Sequence, residues 1–320
     1  MRIQNCFRPF LRWFPPALAV LLLLAGALAP APALAQAPET GRIDWSGLRL
    51  LGFAAPEAEA DPLRAALSAR KNLLLTLRGV PLAAGQPVAA LLDRNARAAE
   101  RVRVLVHGLP VENTSVNSAP GAAGQLRTQA VLPLAGEVLG LILPSAAGFG
   151  TGIAPRLSAK AVAELPSLEG VEKGLLRLRA REPVGARPLD AFKGQALHVP
   201  SAPEIEDEEH TGLVVDARGL PVSAALLPML YDESGIGLYG AFLVSRAHVA
   251  RLGLVAYARS MDDAALAARV GDAPLVVKVA GLVQDGGPDL VLAPAEAQAV
   301  RSLLRSKSVL SRCAVAIVTD

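Results

Sequence analysis

Cysteine is nearly absent. Cys6 and Cys313 are the only two in 320 residues, which excludes a disulfide-stapled scaffold. Aromatic residues are scarce at 4%, so stacking faces of the kind that hold nucleic acid are missing. The four histidines, His107, His198, His210 and His248, are scattered without metal-ligand spacing. No Gly-x-Ser-x-Gly elbow marks a serine hydrolase. Gly148-Phe149-Gly150-Thr151-Gly152 is not followed by Gly-Lys-Ser/Thr, and Pro155 interrupts any helix behind it, so it reads as a flexible loop rather than a phosphate cradle. The apolar content, by contrast, is high. The chain is 52% hydrophobic, carried mainly by alanine, leucine and valine, and that excludes a disordered chain.

The first 35 residues read as an export signal. Arg2, Arg8 and Arg12 form a positive leader, Ala17 to Ala29 an apolar run, and Ala33-Leu34-Ala35 a small-x-small cleavage site. The apolar run ends at Pro30 and falls short of the roughly 20 residues that cross a bilayer. The expected product is periplasmic or secreted, starts at Gln36, and has no transmembrane helix. Cleavage removes three of the 32 basic residues and none of the 29 acidic ones. The mature chain is then formally neutral and lacks the basic field that nucleic-acid binding uses. Cys6 leaves with the signal, so Cys313 has no internal partner in an oxidising compartment.

The expected fold class is α+β: two small mixed α/β domains joined by an irregular linker after the signal. The N-terminal domain spans 36–143, the linker 144–205 and the C-terminal domain 206–320. Leu48–Phe53 is predicted as a strand. Asp61-Pro62 starts a helix that Gly79 ends, with Leu63, Leu67, Leu74 and Leu77 on its apolar face. A second helix starts near Pro87, and the alternation of Val102, Val104 and Val106 predicts a strand after it. Val111–Asn117 and Gln125–Leu132 are further strands. In the linker, Leu175–Arg179 has strand character, and an acidic run follows at Glu204, Glu206, Asp207, Glu208 and Glu209. Beyond it, Gly212–Asp216 and Ala225–Tyr231 read as strands. Ser245 caps a helix ended by Gly253, and Ser260 with Asp263 caps another ended by Gly271. Leu275–Val283 and Leu290–Leu292 form a hairpin, Pro294 opens a helix, and Cys313–Val318 is a central strand.

Two blocks resemble a bacterial cell-envelope family. One runs from Asp44-Trp45 through Gly52 and the Ala65–Leu74 helix to Leu77-Arg78-Gly79-Val80. The other runs from Thr211 to Leu220, continues through Leu230–Gly235 and Leu238-Tyr239-Gly240, returns at Pro274–Lys278 and closes on Cys313–Asp320. The family is that of the flagellar outer-membrane lipoprotein FlgP, and the resemblance covers about two thirds of the mature chain. It implies an exported envelope protein without catalysis, for which peripheral association with the outer membrane is one option, and brings no catalytic residues with it. This chain departs from the family's lipoprotein in having no cysteine at the cleavage site.

The candidate ligand-binding residues are Asp216, Arg218 and Asp232. Asp216-Ala217-Arg218-Gly219 follows a strand, where α/β domains often bind ligands. Asp216 offers an acceptor and Arg218 a fork for a carboxylate or phosphate. The plainer reading is a turn braced by its own side chains, with Gly219 at the bend. Asp232-Glu233 is either a partner carboxylate pair or an ordinary turn. Cys313, at the start of an apolar strand, reads as packing. No metal site and no cofactor are expected. The preferred function is a non-enzymatic envelope protein acting by protein–protein contact, as a scaffold or assembly factor with envelope proteins or with itself. The alternatives are a periplasmic small-ligand module at the Asp216–Arg218 loop, and a hydrolase that would need histidines and carboxylates to converge.

Overall fold

The computed structural model describes residues 39–116, 125–165 and 210–320. The chain is a mixed α+β protein built on two principal sheets. The first holds β1 (Gly41–Asp44), β2 (Arg49–Phe53), β5 (Val111–Val116) and β6 (Gln125–Pro133) in the antiparallel order β1-β2-β6-β5. Between β2 and β5 run helix α1 (Pro62–Gly79), a small hairpin of β3 (Pro81–Ala83) and β4 (Gln86–Pro87), and helices α2 (Val88–Leu92) and α3 (Ala96–Gly108). Helices α4 (Glu137–Ile142) and α5 (Ala159–Ala163) follow the sheet.

Helix α1 begins as its sequence dictates. The Asp61 carboxylate accepts from the N–H groups of Leu63 and Arg64, and Pro62 needs no donor in the first turn. The face it buries differs from the expected leucine stripe. Leu63 and Leu67 are 69% and 48% exposed, whereas Ala65, Ala66, Ala69, Leu73 and Leu77 are buried. Gly52 is the cause. A Cβ there would lie 2.4 Å from the Ala69 carbonyl oxygen and 2.5 Å from the Leu73 nitrogen. The helix backbone thus rests almost directly on β2 along the turn from Ala69 to Leu73.

The strand expected at Val102–Val106 is instead the second half of α3. Val102 and Val106 are buried, one turn apart, while Val104 is 64% exposed. The alternating valines coincide with a helical i, i+4 pair, and the Asn95 side chain, accepting from the Ala98 N–H at 3.0 Å, has already committed this segment to helix.

The second sheet is seven-stranded and mixed. Its strands are β7 (Leu213–Asp216), β8 (Leu230–Asp232), β9 (Gly237–Tyr239), β10 (Ala256–Ala258), β11 (Leu275–Leu282), β12 (Leu290–Leu292) and β13 (Val315–Val318), in the order β10-β13-β7-β11-β12-β8-β9. Strands β10, β13, β7 and β11 pair in parallel, and the β11–β12 hairpin reverses direction. All four residues of β13 are buried, as a strand with neighbours on both sides and both faces covered requires. Connecting helices are α6 (Arg246–Leu252), capped by Ser245 and ended at Gly253, α7 (Ala264–Val270), α8 (Pro294–Leu303) and α9 (Lys307–Arg312). Asp263, not Ser260, caps α7, accepting from the Ala265 N–H. The strand expected over Ala225–Tyr231 is confined to its end, because Leu226 and Leu227 donate instead to the carbonyls of Pro81 and Leu82.

One continuous apolar cluster contains Leu50, Leu73 and Leu132 of the first layer together with Leu213, Leu254 and Val315 of the second. Trp45 meets Tyr257 edge to face, with ring centroids 5.4 Å apart. Residues 149–157 run along the second sheet rather than free of it. Gly150 and Gly152 donate to Ala241 and Phe242, and Leu157 donates to Gly235. Leu175–Arg179 and the acidic run 204–209 lie outside the described residues.

Candidate functional site

Asp216 ends β7, and Arg218 folds straight back onto it. The guanidinium donates Nε to Oδ1 and Nη2 to Oδ2, both at 2.8 Å, and the Arg218 N–H also reaches Oδ1. Gly219, at φ 84°, donates its N–H to the Asp320 carboxylate at 2.6 Å. The Arg218 hydrogen bond holds the Asp216 carboxyl below its ordinary value, and the carboxylate in turn raises Arg218. The fork that a ligand needs is occupied by its own neighbour, which is the braced-turn arrangement.

Asp232 lies elsewhere. It ends β8, three strands from β7 in the sheet, or about 14 Å at ordinary strand spacing. Its carboxylate is buried. Oδ1 accepts from the Ser234 hydroxyl and the Ile236 N–H, and Oδ2 from Arg301 on α8. Glu233 is exposed on the same turn. Asp216 and Arg218 therefore come together, and Asp232 does not join them.

The remaining candidates are dispersed. His107 is exposed at the end of α3 and His248 sits on α6, while His198 lies outside the described residues. No group of three or more His, Cys, Asp or Glu side chains converges among the described residues in a way that would hold a metal. Cys313 is buried in a left-handed conformation at the end of α9, and burial pushes its thiol up, away from the reactive thiolate.

Asp289, which no motif marks, stands just before β12. Its Oδ1 accepts from the Met229 N–H at 3.0 Å, and burial raises its carboxyl above 3.8. A raised acid in the folded state destabilises the fold fully above its folded pKa, and that cost disappears as pH falls below 3.8. Asp289→Asn keeps the acceptor for Met229. It is expected to raise the melting temperature at pH 7 and to lose that advantage on acidification, as thermal melts across pH will register.

A concave feature lies in the first layer. Two adjoining cavities of about 490 Å³ and 300 Å³ share Asn95, Leu143, Pro144 and Ser145. One wall is α2 and the start of α3, and the opposite wall is the chain leaving α4. Arg94, Arg97 and Arg101 rise from the first wall and are exposed. Arg246, from α6, closes the second cavity. Its guanidinium donates to the carbonyls of Gly140, Leu143 and Pro144 at 2.7, 3.1 and 2.8 Å, which satisfies the C-terminal end of α4 and fixes that wall. No carboxylate and no aromatic ring lines either cavity among the described residues. The arrangement suits non-covalent binding of an extended anionic segment. The signal in the sequence was Arg94, Arg97 and Arg101 at helical spacing, the first two at the N-terminus of α3, where cations are unfavourable. The other wall comes from residues far along the chain, and no local pattern announces it.

No helix among the described residues is long and apolar enough to cross a membrane. No curated protein matches the chain. A family model described as Treponema pallidum Tp0624, second domain, matches residues 212–320. That span contains every strand of the seven-stranded sheet, together with Asp216, Arg218, Asp232 and Arg246, and leaves most of the groove outside it. The C-terminal part of this chain is thus similar to the second domain of that Treponema pallidum protein.

Proposed function

We propose that the protein is an exported, non-catalytic component of the bacterial cell envelope that works by protein–protein contact, in a scaffold or assembly role. The observation that carries this reading is the arginine-rimmed groove, a long surface feature suited to a segment of another macromolecule. The leader with Arg2, Arg8, Arg12 and the Ala33-Leu34-Ala35 site supports export to the periplasm or beyond. The small-ligand alternative at Asp216 and Arg218 loses weight because the Arg218 fork is already engaged by Asp216.

Sedimentation of a tagged full-length copy from gently solubilised envelopes tests the proposal. The expected result is migration in an assembly much larger than the chain itself. Sedimentation as a lone monomer overturns the contact role.

A further inference from the structure

We infer that the groove binds an acidic peptide segment of a partner protein, with carboxylates on Arg94, Arg97 and Arg101 and apolar side chains on a floor that includes Pro87, Leu91 and Pro144. This rests on the contact reading above and names the chemistry of the partner.

Charge is the first argument. Two cations beside the groove are neutralised within the fold: Arg78 pairs with Asp93 and Arg103 with Glu100, both at 2.8 Å. The three groove arginines make no such ion pair among the described residues. Electrostatic complementarity of this kind selects partners and speeds encounter.

Placement is the second. Arg94 immediately precedes the Asn95 cap of α3, and Arg97 is the second residue of the helix. Both cations stand at the positive end of their own helix dipole, where folding alone favours an acid. A local rule broken without compensation inside the fold is what a binding site looks like, and a carboxylate brought from outside would relieve both the dipole and the arginines.

The lining selects among anions. With no aromatic ring in either cavity, sugars and bases find no face to stack on. Pro87, Ala90, Leu91 and Pro144, all at least partly exposed, offer apolar surface that a uniformly charged polyanion cannot use. Planar guanidinium forks match carboxylates in paired hydrogen bonds. A peptide carrying both carboxylates and apolar side chains satisfies both surfaces.

The test measures fluorescence anisotropy of a short labelled peptide, built from glutamate pairs alternating with single leucines, against the full-length mature chain. Controls are the same peptide with glutamine for glutamate, polyphosphate, and vesicles containing anionic lipid. The variant is Arg97→Glu with Arg101→Glu. The expected result is salt-sensitive binding that the double variant weakens by about tenfold or more. The variant should melt close to the wild type, because an acid at position 97 suits the dipole of α3 and position 101 is an exposed site beyond its first turn, so lost binding will not reflect lost folding. Equal binding of the glutamine peptide, equal binding by the double variant, or capture of polyphosphate or vesicles but not the peptide overturns the inference. In envelope fractions, release of the double variant from the large assembly supports it. Retention of the double variant overturns it and leaves the contact role standing. A wild-type chain that binds the peptide yet sediments alone removes the assembly role and leaves the groove.

Discussion

Gly52→Val is expected to prevent stable folding of the four-stranded layer. Gly52 pairs with Gly41 on one side and Ala130 on the other, in the middle of β2. A Cβ at this position would meet the Ala69 carbonyl oxygen at 2.4 Å, the Leu73 nitrogen at 2.5 Å and the Leu73 Cβ at 2.6 Å. Two of these are helix backbone atoms and cannot swing aside as a side chain would. Relief requires lifting α1 off the sheet, which opens the contact through Ala65, Ala69 and Leu73, residues that are 0–1% exposed. Overpacking typically costs 1–3 kcal/mol where side chains can yield, and against helix backbone we expect about 4 kcal/mol or more, a large share of a typical domain's stability. Urea denaturation followed by circular dichroism measures the loss. The control is Gly79→Ala, at the last residue of α1, where an added Cβ has nothing within 4 Å. It should leave the midpoint unchanged or raise it slightly. A normal midpoint for Gly52→Val would mean that α1 does not lie against β2 as described.

Arg269→Met should cost about 3 kcal/mol, the second largest loss expected of a single substitution here, because hydrogen bonds to charged groups contribute roughly 1.5–3 kcal/mol each with partial solvent compensation. Arg269 belongs to α7, and its guanidinium donates to three carbonyls: Cys313 at 2.6 Å, Leu252 at 2.6 Å and Gly253 at 2.7 Å. These close the end of α6 and the turn that leads into β13. Burial pulls the guanidinium below its ordinary pKa, opposed by the Cys313 thiol and the Tyr239 hydroxyl, and the three carbonyls compensate its donors. Methionine keeps much of the apolar stem and removes every donor. Lysine offers a point charge in place of the fork and cannot span three acceptors on two segments. We therefore expect Arg269→Lys to recover only part of the loss. Chemical denaturation gives the magnitude, and hydrogen exchange should show β13 losing protection first.

Much of the architecture was legible where local chemistry is strong. Asp61-Pro62, Ser245, Gly253 and Gly271 bound their helices in the structure as their capping chemistry dictates, whereas the start expected at Ser260 falls at Asp263. The continuous apolar run at Cys313–Val318 became the interior strand β13, with Cys313 and Ala314 forming the turn before it. The reading failed where a tertiary contact outweighed a local pattern. The leucine stripe placed Leu63 and Leu67 inside, but the close approach permitted by Gly52 turned the face of Ala65, Ala69 and Leu73 to the sheet. Valine alternation suggested a strand at Val102–Val106, but the Asn95 cap and the i, i+4 burial of Val102 and Val106 made it helix.

The candidate site divided in the same way. Asp216 and Arg218 are two residues apart, so their pairing within one turn could be read from the sequence. The groove could not, because its walls join residues of 82–101 and 140–145 with Arg246. Only the arginine spacing on α3 was local, and it carried no sign of what would face it.

The strand order of the second sheet has a consequence for how the chain acquires its structure in time. Strand β7 is the first of that sheet to be made, and both its neighbours, β11 and β13, come later in the sequence. Until Leu275–Leu282 has emerged, β7 has no hydrogen-bonding partner, and the sheet closes only when Val315–Val318 slots between β10 and β7. Such non-local parallel pairing is slow, since the entropy of closing long loops is spent before any contact rewards it. Through that interval the apolar Leu213–Val215 edge is available to other chains. The yield of native protein should therefore depend on how crowded with nascent copies the folding compartment is, and on whether a holding chaperone reaches that edge first.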